Sequence, residues 1–203
     1  MTVVSNKIVP ASKEMEQYAC RNYHYSRCLP VGRRLSFAIF EESEFIGVII
    51  YSLGASPYIG NEFGLRQGEI VELTRVALKE HKNYVSYYLA KTLRMLREVS
   101  PSVKMVVSFS DIEHQEHHGG IYQATNWIYL GVSILQGKDY YYKGKWTTDR
   151  HINTLPKRLR QSLKTRPKSN KHKYIYVFDK RMRKKYIKVG KPYPESKKYA
   201  DMV

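Results

Sequence analysis

The chain has 203 residues, 42% of them hydrophobic, enough for one packed domain with an extension. It has no apolar run of membrane-spanning length and no apolar leader in MTVVSNKIVPASKEMEQ, so neither a transmembrane helix nor a secretory signal is expected; two cysteines, Cys20 and Cys28, are too few for a disulfide framework and are read as reduced thiols in a cytosolic protein. The net charge of +17 is uneven, with 14 basic and 13 acidic residues over 1–135 but 21 and 5 over 136–203, so a neutral body carries a cationic final third suited to a polyanion rather than to solubility alone.

Residues 11–24 predict a first helix, with Ser12 as N-cap and Met15, Tyr18 and Ala19 on one face. HYSRCLPVG then reads as a loop closed by Pro30 and Gly32. LSFAIF and FIGVIIYSLG, separated by EESE, predict a hairpin. Its second strand is apolar almost without interruption, as a strand covered on both faces would be. GEIVELTRVAL over 68–78 predicts a central strand, and residues 84–98 a helix that turns Leu89, Leu93 and Leu96 inward. VKMVVSFSD (103–111) is the next strand. A histidine-bearing loop follows, then a short helix around Ile121–Thr125 and a strand over 127–135. The alternation of helices and strands places the chain in the α/β class.

Beyond residue 136 the texture changes. YYYKGKW interleaves aromatic and basic residues, and LPKRLRQSLKTRPKSNKHK is a basic stretch broken by Pro167. KYIYVFD (173–179) predicts one more strand, expected to dock on the body, and RMRKKYIKVGKPYP is a basic end. The organisation expected is a core over 1–135 and a basic C-terminal extension over 136–203 docking on it. Its Tyr141, Lys143, Lys145, Trp146, Arg150, Lys157, Arg158 and Arg160 have the residue types that neutralise phosphates and stack on bases. The plainer reading of the aromatic cluster is an edge strand packed on the core.

In open sheets, ligands bind beyond the carboxyl ends of strands, near helix N-termini. Three such places fall together here, at Arg75, at Asp111 and at the start of the helix bearing Tyr122. Each has a plainer reading beside the chemical one. Arg75 is an arginine within an apolar strand that needs a partner, for which Glu72 or Glu69 would serve, or else a planar fork for a phosphate. Asp111 caps a loop or accepts a proton. Ser86 is a natural N-cap or a ligand-binding hydroxyl. Tyr122 is a core aromatic or an acid. The tract with His114, His117 and His118 reads as a solvated loop, since no carboxylate or cysteine pattern accompanies it.

The hairpin, the strand–loop–helix over 70–98 and the segment IYQATNWIYLG resemble the GNAT acyltransferase superfamily over roughly residues 1–135. That resemblance implies a mixed central sheet flanked by helices and an acetyl-CoA or related donor. It also implies that Tyr122, four residues before Asn126-Trp127, is a general acid near the donor's sulfur. The usual glycine-containing diphosphate loop has no counterpart, because no glycine lies between Arg75 and Lys104.

A narrower similarity is carried by HYSR…P-x-G (24–32), ELTRVAL (72–78), the Val-Ser pair at 85–86, VVSFSD (106–111), HHGGIYQATNWIYLG (117–131) and KHKYIYVFDK…KPYP. These strings resemble the bacteriophage Mom family along nearly the whole chain. The resemblance implies an enzyme that converts adenine in double-stranded phage DNA to N6-carbamoylmethyladenine in the cytoplasm of the bacterial host and so shields it from restriction. Carried over by position, it implies Tyr122, Asp111, Arg75 and Ser86 as catalytic residues. It implies His24, Tyr25, Ser26, Arg27 and Asn126 as substrate-binding ones. Carbamoylmethylation joins N6 to a methylene carbon, which plain thioester aminolysis does not do; a metal such as iron is one way to supply the missing chemistry, and the sequence leaves the metal open. Two other functions fit parts of the chain: N-acetylation of a protein or small amine, and DNA binding without catalysis.

Overall fold

The structure, a computed structural model, describes residues 5–54, 56–111, 119–134, 136–148 and 152–194. Among these, seven strands form one sheet in the order β1-β2-β3-β4-β5-β10-β6. They are β1 (Asn6–Pro10), β2 (Arg34–Glu41), β3 (Glu44–Ser52), β4 (Ile70–Leu78), β5 (Met105–Asp111), β6 (Ile128–Ser133) and β10 (Lys171–Val177). Neighbours are antiparallel except β4 and β5. The β2–β3 hairpin turns through Glu42 and Ser43 at φ 48° and 71°, the paired positive values of a tight turn whose twist matches its strands. β3 is buried from Ile46 to Ser52, as its unbroken apolar run requires.

Helix α1 (Lys13–Tyr23) is capped by Ser12, whose hydroxyl accepts from the Met15 N–H at 3.3 Å. Its inward face is Glu16, Ala19 and Cys20 with Met15 beside them, not the Met15–Tyr18–Ala19 face expected, since Tyr18 is exposed. The substitution is a polar one. Glu16 is drawn in because Arg34 Nε, at 2.6 Å, and the Ser36 hydroxyl both donate to it, tying α1 to β2. Helix α2 (Val85–Val99) buries Leu89, Leu93 and Leu96 as their spacing predicts, together with Tyr88 and Thr92, on the opposite face of the sheet.

The final third is not an appendage. β10 enters the core sheet between β5 and β6, and its Tyr174 and Ile175 are fully buried. A division at residue 135 therefore cuts through one sheet. What lies between β6 and β10 is an inserted arm: β7 (Lys138–Tyr142), β8 (Lys145–Thr148), α4 (Lys157–Ser162) and β9 (Thr165–Pro167), with the strands ordered β8-β7-β9. β7 and β8 are joined by Lys143 and Gly144, both at positive φ. After β10, the stretch read as a basic end forms helix α5 (Lys180–Val189). It is capped by Asp179, which accepts from the Met182 N–H at 2.7 Å, and its Tyr186 packs among Ile175, Val177 and Ile128. The short helix α3 (Gly120–Gln123) precedes β6. No helix among the described residues is long and apolar enough to cross a membrane.

Candidate active site

The site begins with one extra residue. Along β3, Tyr51 faces Leu73 and Ile50 faces Arg75, so Thr74 is a bulge that fills the gap by donating its hydroxyl to the Ile50 carbonyl at 3.2 Å. The bulge reverses the pleat. Val71 and Leu73 point to the α2 face, whereas Ala77 packs against Ala19 and Cys20 on the α1 side, and Arg75 turns the same way. β4 and β5 pair only from Ile70–Met105 to Glu72–Val107 and then part. A cleft of about 470 Å³ opens between their carboxyl-terminal halves, walled by residues of four separate segments: the loop after α1, β4 with the loop after it, the end of β5, and α3.

Where the ladder ends, side chains replace it. The Ser108 hydroxyl donates to the Leu73 carbonyl at 3.1 Å and lies 2.8 Å from the Tyr122 hydroxyl. Either hydroxyl can be the donor: with the Ser108 proton on the Leu73 carbonyl, Tyr122 gives its O–H to Ser108, and with that proton turned to the phenol oxygen the Tyr122 O–H is free for the cleft. Burial pushes the Tyr122 phenol up to about 12, with the Ser108 hydrogen bond pulling partly the other way. Tyr122 is both a core aromatic and a cleft residue: its ring stacks on Tyr174 at 4.5 Å while its hydroxyl end lines the cleft. Gly119, at φ 73°, opens α3 where any Cβ would collide with the Tyr174 hydroxyl.

His24 and Tyr25 stand on the rim with ring centroids 4.2 Å apart. The Ser26 N–H donates to His24 Nδ1 at 3.1 Å, so the neutral ring carries its proton on Nε2. Ser26 thus sets the tautomer, and Arg27, exposed at φ 48°, serves the turn; neither lines the cleft. Tyr25 is 61% exposed by area, yet its hydroxyl is surrounded by the cleft walls, and burial raises its pKa, with the Asp111 carboxylate adding to the effect and Arg75 opposing it. Arg75 does not pair with Glu69, which holds Lys104 at 2.6 Å. Its guanidinium donates to the Cys28 carbonyl at 3.1 Å and the Thr74 carbonyl at 2.7 Å, and so pins the loop that carries His24 and Tyr25.

His81, which nothing in the sequence pattern singles out, lines the same cleft. Its Nδ1 lies 2.7 Å from the Lys79 carbonyl, which can only accept, so Nδ1 carries the proton and Nε2 is the acceptor of the neutral ring. Two histidines of opposite tautomer therefore border one cleft. Ser108 gives a weak signal in the sequence, a small polar residue in an apolar strand.

Ser86 is not the cap of α2. Tyr84 occupies that position and no side chain caps the helix, so Ser86 sits in the first turn. In the preceding loop, Glu41 accepts from the Lys82 N–H at 2.8 Å, the Asn83 N–H at 3.0 Å and the Asn83 side chain at 2.8 Å, and also from the Tyr88 hydroxyl. Burial alone would raise its pKa; these hydrogen bonds outweigh it and hold the carboxyl at about 2. A diphosphate arriving at this loop meets two N–H groups already committed to an internal anion. The uncapped start of α2, at Val85 and Ser86, is what remains to hold an anionic donor such as acetyl-CoA. Iron finds no such fit: among the described residues no three His, Cys, Asp or Glu side chains converge to hold a metal ion, and His114, His117 and His118 lie outside them.

Asp111 ends β5 inside the cleft and accepts from the Ser169 hydroxyl at 2.8 Å. Ser169 is buried and belongs to the root of the arm, so the arm is bonded to the cleft floor. Asn126 is elsewhere. At φ 59° it ends the turn after α3, is exposed, and gives its carbonyl to Arg183 at 2.7 Å. Of the residues expected to meet DNA, Tyr141, Lys145 and Trp146 lie on β7 and β8, Lys143 on their turn, and Lys157, Arg158 and Arg160 on α4. Arg150 lies outside the described residues.

Comparison with known proteins bears on both sequence and fold. The Mom protein family matches over residues 6–195. No curated protein matches the sequence. The fold is similar to a protein described as a phosphinothricin N-acetyltransferase (TM-score 0.53, 12% identity, 87% of this chain and 100% of that one). It is also similar to the spermidine N-acetyltransferase SpeG of Vibrio cholerae (TM-score 0.51, 8% identity, 85% and 93%). A looser likeness joins it to the ribosomal L7/L12 acetyltransferase RimL (TM-score 0.44, 11% identity), where the match spans 73% of this chain and 64% of that one. The sheet and its flanking helices are those of the GNAT fold.

Proposed function

The chain belongs to the Mom protein family, and we propose that it is a transferase acting on N6 of adenine in double-stranded DNA, leaving N6-carbamoylmethyladenine and so protecting phage DNA from host restriction. One observation carries the reading. The cleft where β4 and β5 part gathers His24, Tyr25, Asp111 and Tyr122 from separate segments, and Asp111 is bonded to the root of a cationic arm.

A base inside a duplex cannot reach a cleft of this kind, so the adenine is turned out of the stack or taken from unpaired DNA. His24 and Tyr25 form the rim against which its ring is laid. Asp111 accepts a hydrogen bond from the N6 amine, which holds that nitrogen at the fork of β4 and β5. The reaction calls for a donor that bears a leaving group on its methylene carbon: as N6 bonds to that carbon the bond to the leaving group breaks, and the proton the amine gives up goes to His81 Nε2, the acceptor nitrogen of that ring. The donor enters from the α2 side, with its anionic part on the first turn of that helix. Tyr122 stays protonated across the physiological range because burial holds its pKa near 12, and it gives its proton to the group that leaves the donor carbon, the Ser108 hydroxyl turning from the Leu73 carbonyl to hydrogen-bond the phenolate. Arg75 lines the cleft and positions the rim loop through the Cys28 carbonyl.

The test is mass spectrometry of nucleosides from bacterial DNA after expression of the protein, with Asp111→Ala and Tyr122→Phe beside it. A new adenosine species heavier by a carbamoylmethyl group, lost in Asp111→Ala, is the expected result. Unchanged nucleosides from a folded protein that acetylates a polyamine or a peptide would transfer the assignment to an N-acetyltransferase.

A further inference from the structure

The arm presents two faces, and they differ in a way the order of residues along it conceals. Side chains alternate along β7, so Asp139 and Tyr141 lie on one face and Lys138 and Tyr140 on the other. The first face is largely paired within itself, although the Arg166 Nε, like that of Arg160, is enclosed with no acceptor among the described residues. Tyr141 meets Trp146 edge-on at 5.4 Å, the Arg166 guanidinium lies 4.4 Å from the Trp146 ring, and Asp139 is 3.7 Å from Arg166. Its cation already has a ring and a carboxylate.

The second face has no such carboxylate. There, Lys138, Tyr140 and Thr165 form the floor of a pocket of about 440 Å³ that α4 closes with Lys157, Arg160 and Gln161. Three cations line it and no carboxylate does. Arg160 is held in place by a hydrogen bond from Nη1 to the Asn153 side chain at 3.1 Å, while its Nε is enclosed with no acceptor among the described residues. An enclosed guanidinium N–H without an acceptor is costly, and an anionic oxygen is what would satisfy it. Tyr140 adds a ring face beside the cations, the pairing that holds a phosphate and the base or sugar next to it.

We propose that this pocket takes a phosphodiester of the DNA strand, gripped by Lys138, Lys157 and Arg160 with the adjoining nucleotide laid on Tyr140, and that the Tyr141–Trp146 face does not contact DNA. The proposal rests on the reading of DNA as substrate. It also gives the arm's attachment a purpose: a strand held here is held by the element whose root, Ser169, is bonded to Asp111.

Fluorescence anisotropy of the full-length protein on a fluorescent adenine-containing duplex, titrated across a range of salt, tests it. Lys157→Ala/Arg160→Ala is expected to lower affinity more than about tenfold at 0.1 M salt and to reduce the slope of log K against log salt by about 1. Both side chains are on a helix that buries none of its residues, so the fold tolerates the change, and the melting curve is recorded alongside. Arg160→Lys, which keeps the charge, is expected to retain the slope. Tyr141→Ala/Trp146→Ala is expected to stay within about twofold of the parent, because the two rings pack on each other and on Arg166 and give no stacking surface to a base. An unchanged slope in the first variant, or the reverse pattern between the two pairs, overturns the pocket. So does a parent protein that binds no duplex. The expected pattern with unmodified cellular nucleosides keeps the pocket and removes the modification reading. A modified adenine with a slope indifferent to Lys157 and Arg160 does the opposite.

Discussion

In the core, Tyr129, Tyr174 and Tyr122 lie ring to ring at 5.0 and 4.5 Å and are buried. In the arm, Tyr140, Tyr141 and Trp146 are partly exposed, the strands carry no buried residue, and α4 buries none. The same residue type does different work in the two regions. A stacked, buried tyrosine contributes a large apolar area but must place its hydroxyl. Here the hydroxyls of Tyr122 and Tyr129 meet Ser108 and His172, and the first of these pairs lines the cleft. An arm with no core of its own is a poor source of stability and is free to hold cations that a packed interior would reject.

Exchanging one ring in each region gives the sharpest contrast. Tyr174→Ala is expected to cost about 3–5 kcal/mol of unfolding free energy, as large aromatic truncations in cores do, whereas Trp146→Ala on the arm is expected to cost about 1 kcal/mol or less. Denaturant unfolding measures both, and equal losses would break the distinction.

A smaller effect concerns the charge that the core does keep. Glu41 has a pKa of about 2 in the folded chain against an ordinary 4.5, so its contribution to stability is complete above the ordinary value and is lost as pH falls toward 2. Glu41→Gln is expected to lower stability at neutral pH by roughly 2 kcal/mol, since charge-assisted hydrogen bonds to the loop and to Tyr88 are lost, and to flatten the acid limb of the stability curve. A parallel acid limb in the variant would assign that limb to other carboxylates. Smallest is the link between the regions. Ser169→Ala is expected to slow adenine modification about fivefold through the loss of one hydrogen bond to Asp111, on the scale of about 1 kcal/mol, with DNA affinity unchanged. Loss of affinity instead would show that Ser169 supports the arm rather than the cleft.

Which of these features the sequence discloses follows from the range of the interaction behind each. Leu89, Leu93 and Leu96 are spaced by the helix itself, and the β2–β3 hairpin is written in its apolar runs and turn, so both are legible locally. Tyr122 and Asp111 stand out because strand ends and helix starts collect ligands. The bulge at Thr74 is invisible, because it exists only relative to β3, and with it goes the direction of Arg75. Tyr18 and Glu16 exchange expected roles because Arg34 and Ser36, eighteen and twenty residues away, supply the partners that bring a carboxylate inside. The two faces of the arm depend on where α4 folds back, which composition does not specify. A count of basic and aromatic residues merges faces that the fold separates.

The placement of β10 bears on how the protein is made. It is the seventh core strand along the chain, yet it lies between the fifth and the sixth. As the polypeptide leaves the ribosome, β5 and β6 emerge without the strand that joins them, and the whole arm must follow before residues 171–177 can zip into the gap. At elongation rates of about 5–20 residues per second this leaves an unpaired edge on β5 for seconds, a template for wrong partners during translation. The ring beneath Tyr122 arrives with the same strand. A nascent chain is therefore an inert one, and a product truncated before β10 would have His24, Arg75 and Asp111 in its sequence and no floor on which to assemble them.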